Sequence, residues 1–380
     1  MAPLGKVPEQ TDVFVVGGGP AGLAAAIALR CRGFQVTVAD SAHPPIDKAC
    51  GEGLMPDALG ALARLGVSLG PEHSFPFRGI RFLGDGVSVD ASFPRGCGLG
   101  VRRTRLHQAL IDRALQTGVS LLWGASVRGI SDKGAILDHG IVSCRWIVGA
   151  DGLKSRVRQW IGLRAAGREV LRFGFRRHYE VAPWSDCVEI YWGSGSQIYV
   201  TPVGPRDICV AAISRDPHLR LDRALSDFPG LAARLNGVPP ISSERGAVSA
   251  SRRLRRVFRG NTILVGDASG SVDAITGEGL RLGFEQAFAL AGALSCGDLS
   301  AYEAAHRRLA RRPALMANLM LSLDRCAWLR RRVLRALAAE PRIFEKQLAM
   351  HVGALSTADF ARNGMLPLGR GILAASIHVV

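Results

Sequence analysis

Hydrophobic and polar positions alternate with period two in residues 75–93 and again in residues 170–215, the pattern of half-buried antiparallel strands. Elsewhere the pattern changes to short apolar runs that lead into helical stretches. Residues 13–16 form such a run, an alanine-rich segment to Arg30 follows, and residues 35–39 form a second run that stops at Asp40. Further strands are predicted near Leu121, Ala135 and Ile147 and over residues 262–265, with helices over 55–65, 104–117 and 280–294. Gly84-Asp85-Gly86 between two alternating runs is hairpin chemistry. Beyond Leu299 apolar residues recur at helical spacing (Leu315, Leu319, Leu323, Trp328, Leu334, Leu337) with arginines on the remaining faces.

The boundary of the first two runs carries the most specific chemistry. Strand, the turn Gly17-Gly18-Gly19-Pro20-Ala21-Gly22, helix, strand and terminal acid is the order of a dinucleotide-binding βαβ unit. Gly17 permits the tight turn, Gly19 lets a pyrophosphate approach the backbone, and Gly22 lets helix and strand pack closely. The helix start offers free N–H groups and a positive dipole end to phosphate. Asp40, about 20 residues on, is placed to accept ribose hydroxyls. An apolar βαβ with an incidental glycine turn is the plain alternative.

Two more strand ends repeat the glycine-and-acid theme. In Gly149-Ala150-Asp151-Gly152, followed by Ser155 and Arg158, Asp151 suits a pyrophosphate or a nicotinamide dinucleotide, or simply caps a helix. In residues 262–279, Gly266-Asp267 offers a carboxylate to polyol hydroxyls. The Gly277-Glu278-Gly279 turn aims N–H groups at an electron-rich ring edge.

The three motifs, in this order and spacing, resemble the superfamily of FAD-dependent monooxygenases (aromatic hydroxylases) and geranylgeranyl reductases over residues 10–300. The resemblance implies an α/β chain with a Rossmann-like FAD-binding domain of glutathione-reductase type, interleaved with a mainly antiparallel β-sheet substrate domain. The expected division is 10–75, 98–165 and 258–300 for FAD, 76–97 and 166–257 for substrate, and 301–375 as a C-terminal helical region. It implies FAD held by Gly17, Gly19 and Gly22 at the pyrophosphate, Asp40 at the adenosine ribose, and Asp267 at the ribityl chain. Gly277 and Gly279 would face the isoalloxazine, and Arg103 in Arg-x-x-Leu-His would approach the phosphates.

Two details pull toward different branches. Asp151 through Arg158 is similar to the fingerprint of NAD(P)H-dependent hydroxylases, but Gly270 and Ala274 stand where those enzymes usually carry histidine and proline. Lys48-Ala49-Cys50-Gly51-Glu52-Gly53 resembles the Cys-Gly-x-Gly loop of prenyl reductases. Residues 272–279 are closer to the prenyl reductases and flavin halogenases, though the characteristic lysine and Trp-x-Trp-x-Ile motif of the halogenases are missing, which ranks halogenation third. The leading expectation is an NAD(P)H-dependent monooxygenase acting on an aromatic or lipid-like substrate through a flavin C4a-hydroperoxide. Saturation of a prenyl chain is the alternative, and a non-catalytic flavin-binding redox sensor a further one. His178 and Cys50 are the catalytic candidates, as acid/base and pocket thiol. Phe173, Phe175, Tyr191, Trp192 and Tyr199 are expected around the substrate.

Composition narrows the setting. The 380 residues are 48% hydrophobic, ample for more than one core. Eight scattered cysteines without Cys-x-x-Cys or His partners at zinc spacing predict reduced thiols and no metal centre. The formal charge is +16, much of it arginine in residues 252–256 and 307–342. No zinc finger, ribonucleoprotein motif or basic zipper accompanies it, so nucleic acid is not expected. An anionic cofactor or an anionic membrane surface fits better. Without a signal-peptide pattern or a spanning segment, the expectation is a cytoplasmic protein, peripheral to the membrane at most.

Overall fold

The computed structural model describes residues 7–167, 169–365 and 368–369; residues 366–367 and 370–375 of the expected helical region lie outside them. The run Gln10–Val16 forms the centre of an eight-stranded sheet. It pairs in parallel with Val36–Asp40 on one side and Gly140–Gly149 on the other. Ser120–Trp123 and Thr262–Leu264 extend the sheet in parallel beyond these two. Strands buried on both faces need continuous apolar runs, and Val13, Phe14 and Val15 are fully buried. All three strand ends that carry a glycine-and-acid motif therefore open at one edge of a single sheet, the crevice where doubly wound sheets bind ligands.

The alternating blocks form a second sheet of seven strands. Its order is Arg245–Ser251, Val170–Glu180, Asp207–Ser214, Ser196–Gly204, Cys187–Trp192, Gly79–Gly84 and Val87–Ser92. Its pairings are antiparallel except for the Cys187–Trp192 to Gly79–Gly84 pair. The hairpin between the last two strands turns at Asp85 and Gly86, with φ of 52° and 78°. Gly53–Leu54, Gly98–Val101 and Ser74–Phe77 form a small three-stranded sheet, interrupted in sequence by the hairpin Gly79–Gly84 and Val87–Ser92.

Period-two alternation gives the seven-stranded sheet two different faces. One carries Tyr179, Ile198, Val200, Ile208 and Val210 and packs on the helices Leu221–Ser226 and Pro229–Leu235. At the strands Cys187–Trp192, Gly79–Gly84 and Val87–Ser92 the opposite face packs Phe82 and Trp192 against the C-terminal helices Leu299–Arg325, Ala327–Ala339 and Pro341–His351. The candidate pocket residues divide accordingly. His178, Tyr199 and Trp192 share the inner face by register. Phe173, Phe175 and Tyr191 fall on the outer one, where Tyr191 meets Phe228 and Arg220 covers Phe175. The expectation that all six line one pocket is corrected: residues of opposite parity cannot.

Candidate functional site

The first glycine turn shows which positions are constrained by the protein itself. Gly17 has φ of 112°, and a Cβ there would lie 2.5 Å from the Ala150 carbonyl oxygen. A Cβ on Gly22 would lie 1.9 Å from the Gly17 oxygen. These two glycines let the first and second motifs touch. Gly19 differs: a Cβ there would meet nothing within 4 Å. It caps the helix Pro20–Arg30, which has no side-chain cap and no acid in its first turn. Helix-start N–H groups without a side-chain cap, beside the open space at Gly19, are what an anion site requires.

Asp40 accepts from the Gly18 N–H at 2.7 Å and the Ala42 N–H at 2.8 Å, so its carboxylate shapes the loop while keeping lone pairs for a ribose. His107, which the sequence reading did not single out, is wholly buried behind the same loop. Its Nδ1 accepts from the Ile46 N–H, so Nε2 carries the hydrogen and donates to the Gly18 carbonyl at 2.8 Å. Burial pushes the His107 pKa down.

The third motif lies against the first. Gly266, with φ of 58°, would place a Cβ 2.7 Å from the Ala21 Cβ, and Gly283 one at 3.1 Å from it. Gly266 thus lets the third-motif turn reach Ala21, and Gly283 gives the helices Pro20–Arg30 and Gly279–Cys296 a close approach. Asp267 pairs with Lys48 at 3.6 Å, which ties the Lys48–Gly53 loop to this motif. Gly277 is left-handed, and a Cβ on Gly279 would meet nothing within 4 Å. Asp151 behaves otherwise. Its Oδ2 accepts from the Arg156 and Val157 N–H groups at the start of helix Arg156–Trp160, and its buried Oδ1 has no partner. Arg158 reaches the Ala268 carbonyl at 3.2 Å and so joins the second motif to the third.

Arg103 begins the helix Arg103–Gln116, and its buried Nε has no hydrogen-bond partner. An orphaned cationic donor at Arg103, a cap glycine beside open space and the acid-free start of helix Pro20–Arg30 fit the diphosphate of FAD, and the open space at Gly279 leaves room for its ring.

Beside this region sits a buried ionic cluster that the sequence showed only in part. Glu52, 3% exposed and at φ of 59°, lies in the Cys50 loop. One of its oxygens accepts from the Arg103 N–H at 2.9 Å, and the other meets His178 Nε2 at 2.6 Å. His178 Nδ1 faces Arg102 and Arg176 nitrogens, each at 3.1 Å, and the Ser242 hydroxyl at 2.9 Å. Guanidinium groups only donate, which fixes the tautomer: Nε2 holds the hydrogen and gives it to Glu52. Arg176, 1% exposed, also pairs with Asp47. Cys50 Sγ accepts from the Glu52 N–H at 3.5 Å, and its carbonyl accepts from the buried Cys209 thiol. Burial pushes that thiol well above its ordinary range. Glu52, His178 and Cys209 lie close enough to share a metal ion. Two guanidiniums against the imidazole oppose a cation there, and Glu52 and His178 already satisfy each other.

The inner face has a second buried group further along the same strand. Arg172, fully buried, pairs with Asp324 at 2.9 Å and with Gln197, and its Nε is unpartnered. The third-motif loop crosses this face: Ala274 N–H donates to Ser249, and the Tyr199 hydroxyl donates to the Ile275 carbonyl. Asp273 Oδ2 is buried there without a partner, and burial raises its pKa.

One pH dependence follows at the third motif. His306 Nε2 lies 2.9 Å from Ser269, and burial lowers the His306 pKa from 6.5 to about 4. Between those values the unfolded chain binds the proton and the folded chain does not, so stability rises with pH across that window and is lost on acidification. Denaturant titration at pH 7 and 4.5 should show the loss, and His306→Gln should flatten it. An unchanged slope in the variant would remove His306 as its source.

The model of a family described as an FAD binding domain matches residues 10–297. A menaquinone reductase of Mycobacterium tuberculosis is 30% identical over 328 residues, 78% of this chain and 79% of that protein. A 6-methylpretetramide 4-monooxygenase of Streptomyces rimosus is 27% identical over 329 residues, 76% of this chain and 57% of that protein. The crystal structure of a geranylgeranyl bacteriochlorophyll reductase-like protein from Thermoplasma acidophilum has the same fold. It superposes with a TM-score of 0.75 at 19% identity, covering 97% of this chain and all of that one.

Proposed function

Because the chain belongs to the FAD-binding-domain family of flavoprotein oxidoreductases, we propose that this enzyme is a reductase that saturates a carbon–carbon double bond in the isoprenoid chain of a lipid-like substrate. The observation that carries this reading is the Cys50 loop. It is fastened to the third motif through Lys48–Asp267 and to the inner sheet face through Glu52–His178. Saturation requires a hydride at one carbon and a proton at the other, and the proton must come from a held donor.

Gly17, Gly19, Gly22, Asp40, Arg103 and Asp267 would hold FAD, with Gly277 and Gly279 at its ring; bound there and reduced by NAD(P)H, it would supply the hydride. Cys50 delivers the proton from its thiol. Glu52 and His178 act through it by fixing the loop, since the His178 hydrogen is already committed to Glu52. The buried, unpartnered Arg172 Nε and Asp273 Oδ2 are the groups left to bond the polar head of the substrate, near Tyr199, whose hydroxyl holds the Ile275 carbonyl.

Hydroxylation is the second reading, supported by the likeness of residues 151–158 to the hydroxylases and by the monooxygenase relative. Asp151, however, is engaged by its own helix. Turnover with NADPH and a prenylated quinone, first without and then with air, separates the two. A product heavier by two hydrogens, formed without oxygen, supports saturation. A product heavier by one oxygen, formed only in air, would replace it with hydroxylation. Cys50→Ala should retain FAD and lose roughly 100-fold in turnover, the scale of a general acid. Undiminished turnover would remove the thiol from the reaction.

A further inference from the structure

Between residues 304 and 339 the chain carries nine arginines and a single acid, Asp324, which is buried on Arg172. Helix Ala327–Ala339 contains no acid and is split lengthwise. Arg330, Val333, Leu334 and Leu337 are buried, with the three apolar ones joining the core of Phe82 and Phe344. The opposite stripe, Trp328, Arg331, Arg332 and Arg335 at i, i+3, i+4 and i+7, faces outward. Trp328 is 58% exposed, more than any other large hydrophobic residue among those described. The Arg332 guanidinium lies 4.0 Å above its ring. Arg331 shares Asp85 with Arg330 yet stays 62% exposed. Arg325, at the end of the preceding helix, and Arg335 are exposed and have no ion-pair partner among the described residues.

An exposed tryptophan costs free energy in water, and a row of like charges without acids repels itself. Both costs are relieved together where an apolar layer lies beneath an anionic one. Trp rings settle at the level of lipid head groups, and arginines beside them meet phosphate. The stripe is short, one helix long, and holds no Asn or Gln to read base edges. Among the described residues no helix is long and apolar enough to cross a membrane.

We propose that the outward stripe of helix Ala327–Ala339 docks the protein on an anionic bilayer surface, with Trp328 inserted among the head groups and Arg325, Arg331, Arg332 and Arg335 on lipid phosphates. This contact is independent of the reaction the enzyme performs. Its test is co-sedimentation of the FAD-loaded protein with vesicles of phosphatidylcholine alone or with one third phosphatidylglycerol. Retention by the anionic vesicles, falling as salt rises, is expected. The double variant Arg332→Glu/Arg335→Glu should bind them at least roughly tenfold more weakly, at about 1 kcal/mol per basic residue, with its flavin spectrum and melting temperature unchanged. Trp328→Ala should weaken binding while preserving its salt dependence. Equal retention by both vesicle types, retention by neither, or full retention of the double variant would each overturn the assignment. Duplex DNA added alongside the anionic vesicles should compete weakly; strong competition would overturn the assignment in favour of nucleic acid.

Discussion

Gly19→Ala is expected to give a protein that folds as well as the parent and no longer holds FAD, whereas Gly22→Ala is expected to damage the fold itself. The two glycines sit three residues apart in one turn and look equivalent in the sequence. Their surroundings are opposite. A methyl group at Gly19 enters open space, and the backbone there (φ −71°, ψ 175°) suits alanine. The unliganded chain should therefore gain or lose less than about 1 kcal/mol. The same methyl occupies the approach of the pyrophosphate, so FAD affinity should fall roughly 100-fold or more, about 2.8 kcal/mol. At Gly22 the methyl meets the Gly17 carbonyl at 1.9 Å, a backbone atom that cannot turn aside. The strand-to-helix contact must open, at a cost of about 3 kcal/mol or more. Thermal unfolding of the apo forms and FAD titration decide the matter. Intact FAD binding in Gly19→Ala would show that no phosphate lies over this turn.

Glu52→Ala is the second large effect. The carboxylate is the one acid placed to meet the His178 hydrogen, the Arg103 N–H and, at 3.9 Å, Arg176. Its removal leaves the buried His178 Nε2–H without its acceptor, takes one of two carboxylates from the buried Arg176 and uncaps the helix Arg103–Gln116. A loss of about 3–5 kcal/mol in stability is expected, the scale for breaking a buried ion pair from one side. Glu52→Gln keeps the shape and one acceptor and should lose less. In a cycle with His178→Ala the two losses should not add, by about 1 kcal/mol or more. Strict additivity would show that the 2.6 Å contact carries no energy.

Much of this architecture was legible from the chain. The strand–turn–helix–strand order around Gly17 and Asp40 is local, and so are the strand ends at Asp151 and Asp267. Local pattern sufficed for the FAD-binding fold and for membership in the flavoprotein oxidoreductases. What escaped is long-range. Nothing near Glu52 announces that its partner lies 126 residues on, or that a non-glycine residue there takes a positive φ. Arg172 and Arg176 carry no signal of their own, because a sequence does not show which arginines will find Asp324 and Asp47. His107 stood inside a recognised motif, but its bond to the Gly18 carbonyl depends on how the helix lies across the turn. One miss was avoidable. Tyr191 and Trp192 are neighbours in a strand and must face opposite ways, so parity alone separates the candidate pocket residues.

The parallel sheet has a consequence for biosynthesis. Gln10–Val16 leaves the ribosome early, but Gly140–Gly149 comes about 130 residues later and Thr262–Leu264 more than 100 after that. Until Gly140–Gly149 emerges, the first strand, paired on its other side with Val36–Asp40, has one edge of N–H and C=O groups without a strand partner. Contacts so distant in sequence form slowly. A nascent chain stalled before residue 262 should be bound by chaperones and unable to take up flavin, and one extended past the helix Gly279–Cys296 should acquire it.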